Sequence, residues 1–168
     1  MYGEYPAAHS VMQYRVAQLS EIPVLIALRR EQLIEESIKD EGRQLEEFDD
    51  LDVSEEMTSF FTRKMGDGSM VEWIAEENGE IIATSAILFY EFPPSIDFPN
   101  GNKGYIANMY TKPEYRGRGI ATALIGKLTE EAKARGITRL WLSASNDGKP
   151  VYIKCGFEVA DWVMEQHI

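Results

Sequence analysis

The residues best suited to chemistry are Arg116-Gly117-Arg118-Gly119-Ile120-Ala121-Thr122. They follow a strand-like run over 105–111 and open a strongly periodic helix. A strand, a short basic Gly-rich turn and a helix start together make a socket for a diphosphate. Small residues let the backbone approach the phosphate oxygens. The free N–H groups of the first helical turn point at them, and the helix dipole favours negative charge there. A dinucleotide fingerprint does not fit, because Thr122 stands where the third small residue should be. A P-loop is excluded, since no Gly-Lys-Ser/Thr follows at the required spacing.

A second pattern lies downstream. Asn146-Asp147-Gly148-Lys149-Pro150-Val151-Tyr152-Ile153-Lys154-Cys155-Gly156-Phe157 ends in Tyr-x-x-x-Gly-Phe. The two patterns together resemble the GNAT superfamily of N-acetyltransferases. That family's cofactor signature is Arg or Gln, two residues, Gly, one residue, then Gly or Ala. Arg116, Gly119 and Ala121 match it, and the Pro-containing turn Thr111-Lys112-Pro113-Glu114-Tyr115 before them is also typical. The resemblance covers roughly residues 70–160; over 1–69 only the order strand, helix, helix agrees.

The resemblance implies acetyl-coenzyme A as donor and direct transfer of its acetyl group to a primary amine. The backbone of Gly117, Gly119, Ile120, Ala121 and Thr122 should then cradle the pyrophosphate. Arg116 and Arg118 either add positive charge there or are ordinary surface charges. Met109 and Thr111 should pair through their backbones with the pantetheine arm. A bulge in this strand would aim the N–H of Met109 or Tyr110 at the thioester oxygen. Tyr152 is the candidate general acid for the leaving thiolate; the alternative is an aromatic anchor for the last helix. Asn146 would bond the pantetheine amide, or else serve as a turn or cap residue. No general base stands out: Glu72, Glu91 and Asp97 fall near the expected acceptor side, and each reads first as a surface charge. Cys155 has no nearby His and reads as a packed thiol rather than a nucleophile.

The 168 residues suit a single domain over 1–168, with 1–11 as a loose extension before Met12. No apolar run approaches a membrane span, and no basic-then-apolar leader opens the chain. One cysteine and no disulfide framework fit a cytoplasmic location, and a structural zinc site is not expected. The net charge of −11 is uneven. Eleven Asp/Glu lie between Glu35 and Glu56, and eight Lys/Arg between Lys103 and Arg139. These runs are either solvated faces, or a basic pole for the cofactor opposite an acidic pole for a cationic amine. Nucleic-acid binding is disfavoured. The expected acceptor is thus a small-molecule amine or an exposed protein amine. The other readings are a coenzyme A-binding regulatory module without turnover, and transfer of a longer acyl group.

The elements that position these residues predict an α/β (α+β) fold, with a mixed, mostly antiparallel central sheet flanked by helices. Strands are expected at 13–18, 70–76, 80–91, 104–111 and 137–143, with a closing pair at 157–162 and 163–167. Helices are expected from Pro23 to about Glu36, from Ser54 to Gly66, from Gly117 to Arg135 and over 148–154. Asn78-Gly79 between apolar runs signals a hairpin. The Pro-rich stretch 92–102 is a loop, either a substrate-facing flap or a surface connection. The sheet should splay between 104–111 and 137–143 to open a cofactor cleft. A homodimer through the C-terminal strand carrying Trp162 and Val163 stands beside closure of the monomer's own sheet.

Overall fold

The computed structural model describes residues 11–48, 51–161 and 164–166. Five strands form one sheet in the order β1-β2-β3-β4-β5. These are β1 (Met12–Val16), β2 (Met70–Glu77), β3 (Glu80–Glu91), β4 (Asn102–Thr111) and β5 (Leu140–Trp141). The first four pair antiparallel and β5 joins β4 in parallel. The Asn78-Gly79 turn joins β2 to β3 with positive φ at both residues, 54° and 82°. That is the backbone twist a two-residue hairpin requires, and Asn and Gly reach it most readily.

Helices cover both faces of the sheet. On one face, α1 (Ile22–Glu41) and α2 (Ser54–Gly66) bury Leu25, Ile26, Leu28 and Phe61 against Met70, Ile74, Ala86 and Leu88. On the other, α3 (Ile120–Ala134) places Ile120, Leu124, Leu128 and Ala132 against Ala75, Ile82, Ala83, Ile87 and Ile106. The spacing of these α3 residues puts them on a single stripe. β3 is central and covered on both faces, which is why it reads as a nearly unbroken apolar run.

Several boundaries differ from expectation. α1 runs past Glu36 into the acidic stretch and stops only at Gly42, which has φ +70°. α3 begins at Ile120, because Gly117 and Gly119 both have positive φ and form the turn ahead of it. β5 is two residues long rather than spanning 137–143: beyond Trp141 the chain leaves β4. No closing strand pair forms among the described residues of 157–166. Residues 158–161 and 164–166 are exposed and without regular structure, and so short a β5 offers little edge to pair with. Trp162, Val163, His167 and residues 1–10 lie outside the described residues. A short helix, α4 (Lys149–Lys154), carries Tyr152. The 92–101 loop is a surface connection. Lys103 sits over the rings of Phe92 and Phe98, and Arg139 over Phe98.

Among the described residues, no helix is long and apolar enough to cross a membrane. Leu128, fully buried between α3 and the sheet, is a direct probe of this packing. Leu128→Ala should lower unfolding free energy by about 2–5 kcal/mol, read as a lower urea midpoint at unchanged slope.

Candidate active site

β4 carries an irregularity in mid-strand. Ala86 faces Ala107 and Thr84 faces Tyr110, so Ser85 alone faces both Asn108 and Met109. This is a β-bulge. Asn108 takes φ +52°, a left-handed conformation that Asn tolerates better than other residues with a Cβ. The extra residue turns Ala107 and Asn108 towards the α1 face together. Met109 then packs on the α3 side and Tyr110 on the α1 side.

Glu72 fixes this bulge from beneath. Sequence reading takes Glu72 as a surface charge, but its side chain is 1% exposed. Thr84 Oγ1 donates to one carboxylate oxygen, and Asn108 Nδ2 donates to the other at 3.3 Å. Three strands are thereby tied through one buried carboxylate. Burial pushes its pKa up to about 7, against the pull of those two hydrogen bonds and of Arg29.

A cleft of about 720 Å³ opens where β4 and β5 part. One wall is β4 from Tyr105 to Thr111, apart from Asn108; the other is the 143–148 segment with Val151 and Tyr152 of α4. Gly117, Gly119, Ile120, Ala121 and Thr122 close one end, and α1 roofs it with Arg29, Gln32, Glu35 and Glu36. β4 and β5 pair only at Gly104–Leu140 and Tyr105–Trp141, so the β4 edge beyond Tyr105 faces the cleft rather than a neighbouring strand. No side chain caps the start of α3. A Cβ built on Gly117 or Gly119 meets nothing within 4 Å, so these glycines leave the approach to the helix start open.

Of the residues singled out from sequence, Met109, Tyr110, Thr111, Arg116, Gly117, Gly119, Ile120, Ala121, Thr122 and Tyr152 all line this one cleft. Arg118 and Asn146 do not. Arg118 is held by Glu77 at 2.6 and 3.2 Å, and Asn146 bonds Asp40 of α1 through both its backbone N–H and its side-chain amide. Arg116 is also committed: its two terminal nitrogens meet the Glu35 carboxylate at 2.6 and 2.7 Å, and Nε donates to the Thr111 carbonyl. This pairing holds the Glu35 carboxyl down at about 2. Phosphate-sized anions at this turn would therefore meet backbone N–H groups with no guanidinium free beside them. Three carboxylates of the acidic segment, Glu35, Asp40 and Glu47, are likewise engaged. Glu35 and Asp147 hold Lys39, Asp40 holds Asn146, and Glu47 pairs with Arg43. Glu91 and Asp97 are exposed and do not line the cleft.

Tyr152 is 8% exposed, and its hydroxyl has no hydrogen-bond partner among the described residues. Burial, with a contribution from Glu36, pushes its pKa up to about 12. It is thus a protonated phenol at neutral pH, able to donate. The Tyr110 phenol faces α1, with its hydroxyl 3.4 Å from Glu31. The Tyr110 backbone pairs with Thr84 directly after the bulge.

A splayed sheet, a bulged inner strand and an uncapped helix start sharing one cleft define an acyl-transfer architecture. The model of the acetyltransferase (GNAT) family matches residues 31–157, and the chain belongs to that family. An acetyltransferase of Pectobacterium atrosepticum is 32% identical over 104 residues, 60% of this chain and 67% of its own length. An uncharacterized N-acetyltransferase of Methanocaldococcus jannaschii is 46% identical over 56 residues, which is 32% of this chain and a quarter (25%) of that protein. Among solved structures, a predicted acetyltransferase from Clostridium acetobutylicum, crystallised with acetyl-CoA, superposes with a TM-score of 0.84 at 44% identity. That match covers 94% of this chain and 96% of the other. A GCN5-related N-acetyltransferase from Ralstonia eutropha gives 0.81 at 26% identity, over 94% and 99%.

The buried Glu72 has a measurable signature. Its folded pKa lies above the unfolded value, so between about pH 4.5 and 7 the folded state binds more protons than the unfolded state. Its contribution to stability is therefore lost as pH rises through that window. Glu72→Gln should remove this loss. The wild-type Tm relative to Glu72→Gln should fall between pH 5 and pH 8, as read by thermal melts of both proteins.

Proposed function

We infer that this chain transfers an acetyl group from acetyl-coenzyme A directly to a primary amine. The observation that carries this reading is the splay of β4 from β5. It puts a free, bulged strand edge, an uncapped helix start and an unpartnered phenol into one cleft. The fit to the donor rests on the same features. An open approach over Gly117 and Gly119 suits a diphosphate, and an unpaired strand edge suits an extended arm bearing amides.

When bound, the donor supplies an activated thioester; the chain's residues then have separate tasks. The backbone N–H groups of Gly117, Gly119, Ile120, Ala121 and Thr122 hold the pyrophosphate. Met109 and Thr111 hold the pantetheine arm through their backbones. At the bulge, the N–H of Met109 or Tyr110 stabilises the oxyanion that forms as the amine nitrogen attacks the thioester carbon. With the C–N bond formed, the oxyanion collapses to the amide, and Tyr152 gives a proton to the departing sulfur as the C–S bond breaks. Glu36 lines the cleft near Tyr152 and has one carboxylate oxygen bonded to Gln32. It attracts the acceptor ammonium and takes up its proton. Glu72 acts through Asn108, as the residue that positions the bulge.

A thiol-release assay with acetyl-coenzyme A and a panel of amines tests this. Tyr152→Phe should lower kcat by about 100-fold while leaving donor affinity unchanged. An unchanged kcat would remove the general-acid role. Tight coenzyme A binding with no amine turned over would support a binding module instead.

A further inference from the structure

The arginines of this chain are not alike. Arg15 meets Glu21 and Glu76, Arg116 meets Glu35, and Arg118 meets Glu77, each in direct ion pairs at 2.7 Å or less. Arg29 lines the cleft from α1 without touching a carboxylate. Its one hydrogen bond runs from Nη1 to Gln32 Oε1 at 3.0 Å, and its remaining donors have no partner among the described residues. Burial lowers its pKa, and Glu36 and Glu72 offset this only from a distance.

Gln32 explains why Arg29 and Glu36 do not neutralise each other. Its side chain is 7% exposed, accepts from Arg29 through Oε1 and donates to Glu36 Oε1 through Nε2 at 2.9 Å. Positions 29, 32 and 36 are spaced i, i+3, i+7, so they fall on one face of α1, the face that roofs the cleft. The result is a row of cation, neutral spacer and anion. The unpartnered, nine-tenths buried Tyr152 phenol faces the same space, close enough to Glu36 to feel its charge. A guanidinium with an open fork matches a carboxylate. A carboxylate beside a proton-donating phenol matches an ammonium.

We propose that Arg29, Gln32 and Glu36 form the acceptor subsite, and that the acceptor is a small zwitterion with a carboxylate close to its reactive amine, as in a free amino acid. Arg29 takes the carboxylate, Glu36 takes the amine, and Gln32 sets their separation. This rests on the acetyl-transfer reading and narrows its acceptor class. A diamine has no group for Arg29. A peptide N-terminus lacks the adjacent carboxylate.

The test compares matched acceptors in the thiol-release assay: free amino acids, their amides, the corresponding decarboxylated amines, and phosphoethanolamine as a phosphate-bearing amine. Wild type is run with Arg29→Gln and Arg29→Lys, and coenzyme A affinity is measured for each. The wild type should prefer the amino acid over its amide by about 10- to 100-fold in kcat/KM. Arg29→Gln should abolish that preference by raising KM for the amino acid alone, with kcat for the amide and coenzyme A affinity retained. Arg29→Lys should keep part of it. Equal kcat/KM for acid and amide in the wild type overturns the proposal and leaves acetyl transfer standing, even should Arg29→Gln fail to fold. A preference for phosphoethanolamine overturns the carboxylate assignment. Donor binding without turnover of any amine overturns both this proposal and the reading beneath it.

Discussion

The buried carboxylate of Glu72 is the point on which the site depends. A left-handed, non-glycine residue in the middle of a strand is strained and needs a local partner to hold it. Asn108 finds that partner in Glu72, which is itself held by Thr84 on the intervening strand. The three residues come from β2, β3 and β4, so the bulge is set by the interior of the sheet and not by its edge. Once set, it turns Met109 and Tyr110 out of regular register at the strand that borders the cleft. Desolvating a carboxylate works against the fold, and a hydrophobic residue at position 72 would avoid that cost. The charge fits a role in holding geometry rather than in adding stability.

The cleft follows from a second constraint. β5 pairs with β4 for only two residues before diverging, and Gly104 lets the two strands come close where they do pair. A Cβ there would lie 2.7 Å from Leu140 Cδ2. The strands thus meet at one end and separate at the other. α1 spans the gap through Glu35 to Arg116, Lys39 to Asp147 and Asp40 to Asn146. These contacts bring the cleft-lining face of α1, with Arg29, Gln32 and Glu36, over the bulge and Tyr152. Two carboxylates of the acidic segment, Glu35 and Asp40, thus fasten α1 to the turn ahead of α3 and to the 143–148 segment.

Much of this was legible in sequence where the signal was local. The strand, glycine turn and α3 needed only period and composition, and Asn78-Gly79 announced its hairpin. Tyr152 came from its place in a second pattern. The polar cluster under the bulge was not legible, because Glu72, Thr84 and Asn108 meet only after three strands align in register. A trace was present: Met70, Glu72 and Ile74 alternate on the core face of β2, which placed Glu72 in an apolar position. Arg29 carries no motif in the sequence; what sets it apart is that Glu36 and Glu72 bond to other residues in the folded chain. Among the described residues of 157–166 the expected C-terminal pair does not form, and Trp162, Val163 and His167 lie outside them.

In the proposed reaction the bulge held by Glu72 delivers a backbone N–H to the reacting carbonyl. A crystal structure of the protein with acetyl-coenzyme A tests it most directly. The thioester oxygen should lie within about 3 Å of the N–H of Met109 or Tyr110, with Asn108 still left-handed and bonded to Glu72. A thioester oxygen facing solvent or a side chain, or a β4 that flattens into regular pairing when the donor binds, would contradict it.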